Sequence, residues 1–376
     1  MQRNFTAVTG ARSGKSAENE ALLSQQRAIL RARLALSKDG SITCSVENCV
    51  LILENAPVLM GAIRKNLFTG CMVIVGDMPW HRAGNCFTDD DLAFIELLFE
   101  NHYGITSEKK ILTALRVVAN SNGYHPVREY LNHLDWDRTP RVRFALHHFL
   151  GAEISDLNEE LLRLFMLGAV TRIFQPGHKF DMMLCLTGGQ GAGKSSFFRF
   201  LAGNDEWFSD DLRRLDDENI YRRMMGHWII EMSEMIATVN AKNVEEIKSF
   251  LSRQKDTYKV PYDKFPADRP RQCVFAGTSN KLDFLPHDRS GNRRFLPIRI
   301  DPDKAEVHIL ANQQTSRAYF NQLWAEIMVI YRSGEYSLQL SKEASKQLKQ
   351  EQTTFMPENT LDGQVLGFME QTAYKQ

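Results

Sequence analysis

The chain has 376 residues, 46 of them basic and 46 acidic, and 43% of its residues are hydrophobic. This composition is typical of a folded protein and excludes disorder as the default, while the length predicts roughly two or three domains. Because the charges balance, no global field draws the chain onto nucleic acid. Any DNA contact must therefore come from a local basic patch.

Residues 1–40 carry seven basic side chains against three acidic ones, which predicts a basic N-terminal arm or a peripheral helix. Within it, Gly10–Ser16 looks like a phosphate-binding loop, but three residues separate its glycines where the motif requires four. The arm has no apolar signal core, and Arg163 and Arg172 interrupt the best apolar helical stretch. The six cysteines form no C-x-x-C pair. We therefore expect a cytoplasmic protein with reduced thiols, no structural zinc and no membrane contact.

Residues 41–178 are predicted to form an N-terminal mixed α/β and helical domain. Ser45 and Thr88 are typical helix caps, and Thr69-Gly70 separates two short apolar runs as the turn of a hairpin does. Four helical periods follow, and Pro176-Gly177 closes the last of them, so we place a domain boundary there. The predicted helices are residues 108–118, 127–134, 142–150 and 157–174.

The apolar run 182–186 is predicted to be a buried strand, and it leads into a segment that fits G-x-x-x-x-G-K-[ST] in full. In such a phosphate-binding loop, backbone N–H groups surround phosphate oxygens, the lysine reaches the β and γ phosphates, and the final hydroxyl binds magnesium. Helical spacing resumes after the segment, which completes the strand, loop and helix that the motif needs. With ATP and Mg²⁺ as the expected cofactors, the predicted nucleotide-binding residues are Gly188, Gly189, Gln190, Gly191, Ala192, Gly193, Lys194, Ser195 and Ser196.

A second predicted strand, residues 227–230, ends in Glu231, and Glu234 follows three residues later. Acids at the end of a strand near a phosphate loop bind magnesium and handle the attacking water. Ser195 and Glu231 are therefore the predicted metal ligands. Simple solvation of a strand end is the alternative for both acids.

Polar residues also follow a third predicted strand and precede a fourth. Asn280 comes after the strand 273–276, where its amide is suited to orient the water or touch the γ phosphate; an Asx turn is the alternative. Arg293 and Arg294 stand on a glycine-containing loop before the next strand. That position suits an arginine finger that acts on an adjacent subunit, although surface arginines are also commonly solvated or ion-paired.

Several segments in this order resemble the virulence-associated protein E family, and the resemblance covers roughly residues 42–350. That family looks like a branch of the superfamily 3 helicases, which are AAA+-type ring ATPases encoded by phages and chromosomal islands. The resemblance is carried, after the phosphate loop, by Trp228–Glu234, Phe250–Tyr262, Arg271–Asn280 and Gly291–Phe295, and in the N-terminal half by Pro79-Trp80, His125–Leu131 and Asp135–Asp137.

The resemblance implies a role for each candidate residue. Ring ATPases commonly have two adjacent acids in the Walker B motif, whereas two residues separate the glutamates of this chain. Either the strand ends at the first glutamate or a single glutamate is catalytic, because an odd spacing on a strand points side chains to opposite faces. The implied roles are a Walker A motif at 188–195, Walker B acids Glu231 and Glu234, a sensor Asn280, and finger candidates Arg293 and Arg294.

The segment between Lys248 and Arg271 contains seven basic residues against three aspartates, with aromatic residues among them. A cationic, aromatic stretch is able to hold phosphates and stack on unpaired bases, so we predict a DNA-binding hairpin with residues 257–260 going out and 272–276 returning. An exposed charged hairpin without a ligand is the alternative. The resemblance implies that Lys264 projects into a ring channel, and the expected DNA contacts are Lys255, Lys259, Lys264 and Arg269.

The predicted fold is α/β: a P-loop NTPase core of the AAA+ or superfamily 3 type at 179–302, with a helical segment at 303–376. The leading hypothesis is an oligomeric ring, a hexamer, that hydrolyses ATP with Mg²⁺ and unwinds single-stranded or forked DNA during replication of a phage or mobile element. The alternative is a nucleotide-gated DNA-binding initiator without processive unwinding. A phosphate-loop kinase and a secreted effector fit the sequence less well, because neither an acceptor acid nor a signal sequence is evident.

Overall fold

The structure is a computed structural model, and it describes residues 15–212, 220–232, 241–258, 267–285 and 292–357. The contacts divide the chain into two units, Met1–Pro126 and Val127–Gln376. The domain boundary predicted near residue 178 falls inside the second unit. The reason is that helix α7 (Asp156–Phe174), which precedes that boundary, packs on strands of the sheet that follows it.

The first unit contains a three-stranded sheet with the order β2-β1-β3, in which β1 pairs antiparallel with β2 and parallel with β3. The predicted hairpin and both predicted caps are confirmed, since Ser45 accepts a hydrogen bond from the Asn48 amide and Thr88 forms a capping box with Asp91. Its elements are α1 (Lys15–Arg33), α2 (Val46–Asn55), β1 (Ile63–Asn66), β2 (Met72–Ile74), α3 (Asp89–Tyr103), α4 (Glu108–Ser121) and β3 (Gly123–Tyr124).

The second unit is built on a five-stranded parallel sheet with the order β10-β4-β9-β6-β5. Its helices are α5 (Pro126–Asn132), α6 (Ala145–Leu150), α7, α8 (Lys194–Leu201), α9 (Ile220–Met224), α10 (Ala241–Leu251), α11 (Gln313–Ser333) and α12 (Lys342–Thr354). Its strands are β4 (Met183–Thr187), β5 (Phe208–Ser209), β6 (Ile229–Glu231), β7 (Lys255–Tyr258), β8 (Ala267–Pro270), β9 (Val274–Ser279) and β10 (Phe295–Arg299).

The two central strands, β4 and β9, are buried along their whole length, which is the pattern of a parallel sheet covered on both faces. Trp228 and Trp324 stack with ring centroids 4.3 Å apart, and the Trp324 indole donates to the Leu201 carbonyl at 2.7 Å. The helix α11 is therefore packed against the start of β6 and the end of α8. The C-terminal helices predicted after residue 303 are confirmed for α11 and α12 and belong to this core.

Two antiparallel strands are present where the basic hairpin was predicted, but the prediction of its returning strand was wrong. Lys255–Tyr258 pairs antiparallel with Ala267–Pro270, not with residues 272–276. The segment Val274–Ser279 is wholly buried and lies between β4 and β6, so burial of its apolar side chains assigns it to the parallel sheet. No helix in the described part of the chain is both long and apolar enough to cross a membrane.

Candidate functional site

A glycine-rich loop, Gly188–Ser195, connects the end of β4 to the first turn of α8. Gly191 and Gly193 have φ angles of 80° and 81°, in the left-handed region that glycine adopts without steric cost. Gly188 lies so close to Ile300 that an added Cβ would meet the Ile300 Cγ1 at 2.6 Å and its carbonyl oxygen at 2.9 Å. The strand, loop and helix expected from the sequence are therefore present, and glycine is required at three of the loop positions.

The ammonium group of Lys194 is buried and points back into this loop. Its Nζ donates to the carbonyl oxygens of Gly188 at 2.8 Å and Gly189 at 2.7 Å, and to Oδ1 of Asn280 at 2.9 Å. Burial lowers the pKa of Lys194, and the negative charge of Glu231 opposes that shift. A cation held in this way by neutral oxygens is available for a stronger anionic partner.

The Glu231 carboxylate ends β6 and is fully buried. Its Oε1 accepts hydrogen bonds from Ser195 Oγ at 2.8 Å and from the Thr278 hydroxyl. Its Oε2 is buried and has no hydrogen-bond partner among the described residues. Because a buried carboxylate oxygen without a partner costs free energy, this atom is a candidate ligand for a metal ion.

The pKa of Glu231 is raised, chiefly by burial and further by the negative charge of Asp210. The hydrogen bonds from Thr278 and Ser195 and the charge of Lys194 pull that pKa in the opposite direction. A carboxyl group under such opposed influences beside a loop is a candidate functional group. Thr278 was missed at the level of the sequence, although it stands in the polar run that contains Asn280.

The structure thus brings together four predicted residues, Lys194, Ser195, Glu231 and Asn280. They lie at the carboxyl ends of the neighbouring strands β4, β9 and β6. The strand β6 ends at Glu231, which is one of the two solutions that the glutamate spacing left open. The predicted Glu234 lies outside the described residues. In the parts of the chain that the structure describes, no group of three or more His, Cys, Asp or Glu side chains is placed to hold a metal ion.

Arg293 and Arg294 lie at the amino end of the parallel strands, opposite to the end that carries Lys194. They form a 3₁₀ turn directly before β10, whose first residue pairs with Met183 and whose last residue pairs with Thr187 next to the loop. Five strand residues span roughly 15 Å. The two arginines are therefore not part of the cluster around Lys194 in their own chain.

The described part of the basic hairpin contains two of the four predicted DNA contacts. Lys255 is exposed and ion-paired across the hairpin with Asp268, which also accepts a hydrogen bond from Thr257 at 2.7 Å. Arg269 is half-buried. The predicted contacts Lys259 and Lys264 lie outside the described residues.

The virulence-associated protein E-like domain matches residues 131–357 of this sequence. That match spans the whole five-stranded parallel sheet, the glycine-rich loop and the residues gathered beside it. The chain therefore belongs to the virulence-associated protein E-like domain family. A search of curated proteins gives no match.

Three solved structures of the NrS-1 C-terminal region, all described as apo forms, are similar to this chain at 12–13% identity. They cover 77–78% of this chain and 71–72% of their own length, with TM-scores of 0.42 to 0.47. At that distance the likeness carries no argument about function.

Proposed function

We propose that the chain is a P-loop ATPase that binds ATP and Mg²⁺ at the glycine-rich loop. The observation that carries this proposal is the contact of Lys194 with Asn280 and of Ser195 with Glu231. These residues follow or end three neighbouring strands: Lys194 and Ser195 begin α8 after β4, Glu231 ends β6 and Asn280 follows β9. Each has a part that phosphate chemistry requires: a cation for the β and γ phosphates, a hydroxyl and a carboxylate for the metal, and an amide near the γ phosphate.

Ser195 and Glu231 are the residues that would hold Mg²⁺. Their fit rests on the buried, unpartnered Oε2 of Glu231, which lies on the same carboxylate that Ser195 and Thr278 hold in place. Oxygen ligands from one or two side chains, completed by phosphates and water, are what Mg²⁺ takes in such sites. Bound there, the ion would neutralise charge that develops on the phosphate oxygens.

Hydrolysis requires a water oxygen to bond to the γ phosphorus while the bond from that phosphorus to the bridging oxygen breaks, which yields ADP and phosphate. Glu231 or Glu234 accepts the proton of the water in this proposal. Lys194 leaves the carbonyls of Gly188 and Gly189 and moves onto the phosphates, because a phosphate is the stronger acceptor. Asn280, which now accepts from Lys194, is then free to hold the attacking water.

In this proposal, an arginine finger acts on a second copy of the chain. Arg293 and Arg294 precede β10, and the length of that strand separates them from the loop of their own chain. Arg293 is exposed, as a group that reaches into a neighbouring subunit must be. This placement supports a homo-oligomeric ring, for which a hexamer is our proposal.

The proposed substrate beyond ATP is DNA, held by the basic hairpin as the ring moves along a single strand or a fork in replication of a phage or mobile element. The hairpin presents Lys255 and the half-buried Arg269, and the sequence adds Lys259 and Lys264. The rival proposal is a nucleotide-gated initiator.

Unwinding of a forked duplex with ATP and Mg²⁺ tests the proposal. We expect strand displacement by the parent chain and none by Lys194→Ala, whereas Lys346→Ala, an exposed lysine on α12, should behave as the parent does. Titration of a fluorescent ATP analogue separates loss of binding from loss of turnover. ATP hydrolysis without displacement at any protein concentration would favour the initiator, and absence of hydrolysis by the parent would reject the ATPase.

A further inference from the structure

The two adjacent arginines before β10 have different surroundings. Arg293 is exposed, whereas the Arg294 side chain is 18% exposed and reaches two other segments. Its Nε lies 3.0 Å from Oδ2 of Asp181, an ion pair without hydrogen-bond geometry, and its Nη2 donates to Ser252 Oγ at 3.1 Å. Arg294 therefore has an ion-pair partner and a hydrogen-bond acceptor within its own chain.

The turn that carries both arginines is also held from the side of α12. The buried Gln352 amide donates to the carbonyl of Asn292 at 2.7 Å and to the carbonyl of Phe295 at 2.8 Å. These two carbonyls belong to the residues on either side of Arg293 and Arg294. With Arg294 fixed on one side and the main chain on the other, Arg293 is presented on a rigid support.

Ser252, one of the Arg294 partners, follows directly after α10 and donates back to the Lys248 carbonyl at 2.8 Å. The same helix end anchors the hairpin, because the buried Arg271 donates from Nη1 to the Phe250 carbonyl. Arg271 also forms a two-point pair with the buried Asp256 of β7, at 2.7 and 2.9 Å. The turn before β10 and the base of the hairpin thus share one attachment, the C-terminal end of α10.

We infer that Arg294 is a positioning residue, which ties the turn carrying Arg293 to the base of the hairpin and so couples DNA contact to ATP hydrolysis. This inference rests on the proposed function. Movement of the hairpin shifts the end of α10, and Ser252 transmits that shift through Arg294 to the neighbouring Arg293. Arg294 does not itself contact the phosphate, because withdrawing it would leave the half-buried carboxylate of Asp181 without its partner, which is costly.

Four substitutions in the full chain test this assignment: Arg294→Gln, Asp181→Asn, their combination, and Ser252→Ala. Arg143→Gln is the control, since Arg143 is likewise ion-paired within its own chain, with Asp156 and Glu159, but among the described residues does not contact the turn or the hairpin. The measurements are kcat and KM for ATP with and without single-stranded DNA. Melting temperature and binding of an ATP analogue show that each variant is folded.

A misplaced catalytic group commonly costs about 10²-fold in rate. We expect Arg294→Gln and Asp181→Asn each to lower kcat by up to about that factor with KM unchanged, and the double variant to lose no more than the worse single one, because the two residues act as a pair. The ratio of the DNA-stimulated to the DNA-free rate should fall toward one in both, and Ser252→Ala should move it the same way. Arg143→Gln should match the parent.

The inference is overturned if Arg294→Gln loses about 10³ to 10⁵ in kcat, as an arginine finger does, while Asp181→Asn and Ser252→Ala resemble the parent. Losses that multiply in the double variant also overturn it. An inactive parent chain rejects the proposed function and the inference together. An active, DNA-stimulated parent whose stimulation survives in Arg294→Gln rejects the inference alone.

Discussion

Ser195 Oγ donates a hydrogen bond of 2.8 Å to Oε1 of Glu231, and this contact joins the first turn of α8 to the end of β6. The carboxylate is fully buried, and burial is the largest of the influences that raise its pKa. The negative charge of Glu231 therefore destabilises the protein without metal and nucleotide, whereas the proposed metal site requires that charge.

Replacement of Glu231 by glutamine should separate these two consequences. The new side chain keeps an oxygen that accepts from Ser195 and Thr278, but it has no charge. We expect the metal-free protein to melt higher at neutral pH, by about 2–4 °C for each kcal/mol gained. ATP turnover should fall by about 10²-fold or more, because metal-assisted charge stabilisation supplies several kcal/mol. Calorimetry and phosphate release measure the two effects, and a variant that melts lower yet turns over normally contradicts the assignment.

The pH dependence of stability and of activity should run in opposite directions. A carboxyl group whose pKa is raised on folding contributes stability below its unfolded pKa, and that contribution is lost as pH rises through the folded pKa. The window opens at the usual glutamate value of 4.5 and extends upward to the raised pKa. Activity needs the carboxylate, so it should rise over the same window.

The check on this prediction is a pair of pH profiles, one of unfolding free energy without nucleotide and one of kcat/KM, which reports the groups of the free enzyme. The Glu231→Gln variant should lack the Glu231 component in the first profile. If its stability changes with pH as steeply as that of the parent through the window, another group is responsible.

Alanine at Gly188 should destabilise the fold, whereas alanine at Gly189 should not. The added methyl at position 188 would lie 2.6 Å from Ile300 Cγ1 and 2.9 Å from the Ile300 carbonyl oxygen, while nothing lies within 4 Å of one at position 189. Overpacking of this kind costs about 1–3 kcal/mol. Chemical denaturation without nucleotide measures it, with Gly189→Ala as the control, and equal stability of the two variants would contradict the close approach.

Arg293→Ala should keep ATP binding and lose about 10³ to 10⁵ in turnover, the cost of removing an arginine finger. Mixing it with Lys194→Ala should restore part of the activity. In a mixed ring, about a quarter of the interfaces join an intact loop in one subunit to an intact Arg293 in the next. Activity is measured after the two inactive proteins are disassembled and reassembled together, and a mixture that stays inactive argues against action between subunits.

The strand, loop and helix around Lys194 could be read from the sequence because local rules decide them: a buried apolar run, glycines where φ is positive, and helical spacing afterwards. The end of β6 at Glu231 and the buried strand before Asn280 followed from the same patterns. Helix positions between residues 108 and 174 were also confirmed, with shifts of a few residues at their ends.

What the sequence did not provide depends on contacts between distant segments. The returning strand of the hairpin was assigned to residues 272–276 because those residues are good strand formers. It is instead Ala267–Pro270, and the buried ion pair of Arg271 with Asp256 lies at the base of the hairpin directly after it. The bond from Thr278 to Glu231 joins residues 47 positions apart, and no local pattern indicates it. Helix α7 lies N-terminal to Pro176-Gly177, yet it packs on β4 and β9, so turn residues there did not mark the edge of a unit.

Gln352 is bonded to both carbonyls around the turn before β10, although it lies more than 50 positions further along the chain in α12. A chain shortened to end before α12 would keep its glycine-rich loop and the residues around Lys194. It would lose the two hydrogen bonds from Gln352 that hold the main chain on either side of Arg293 and Arg294. In the proposed ring, the active site of such a chain would still receive Arg293 from an intact neighbour, but its own Arg293 would be misplaced. ATP hydrolysis would then be lost in the adjacent intact subunit rather than in the shortened one.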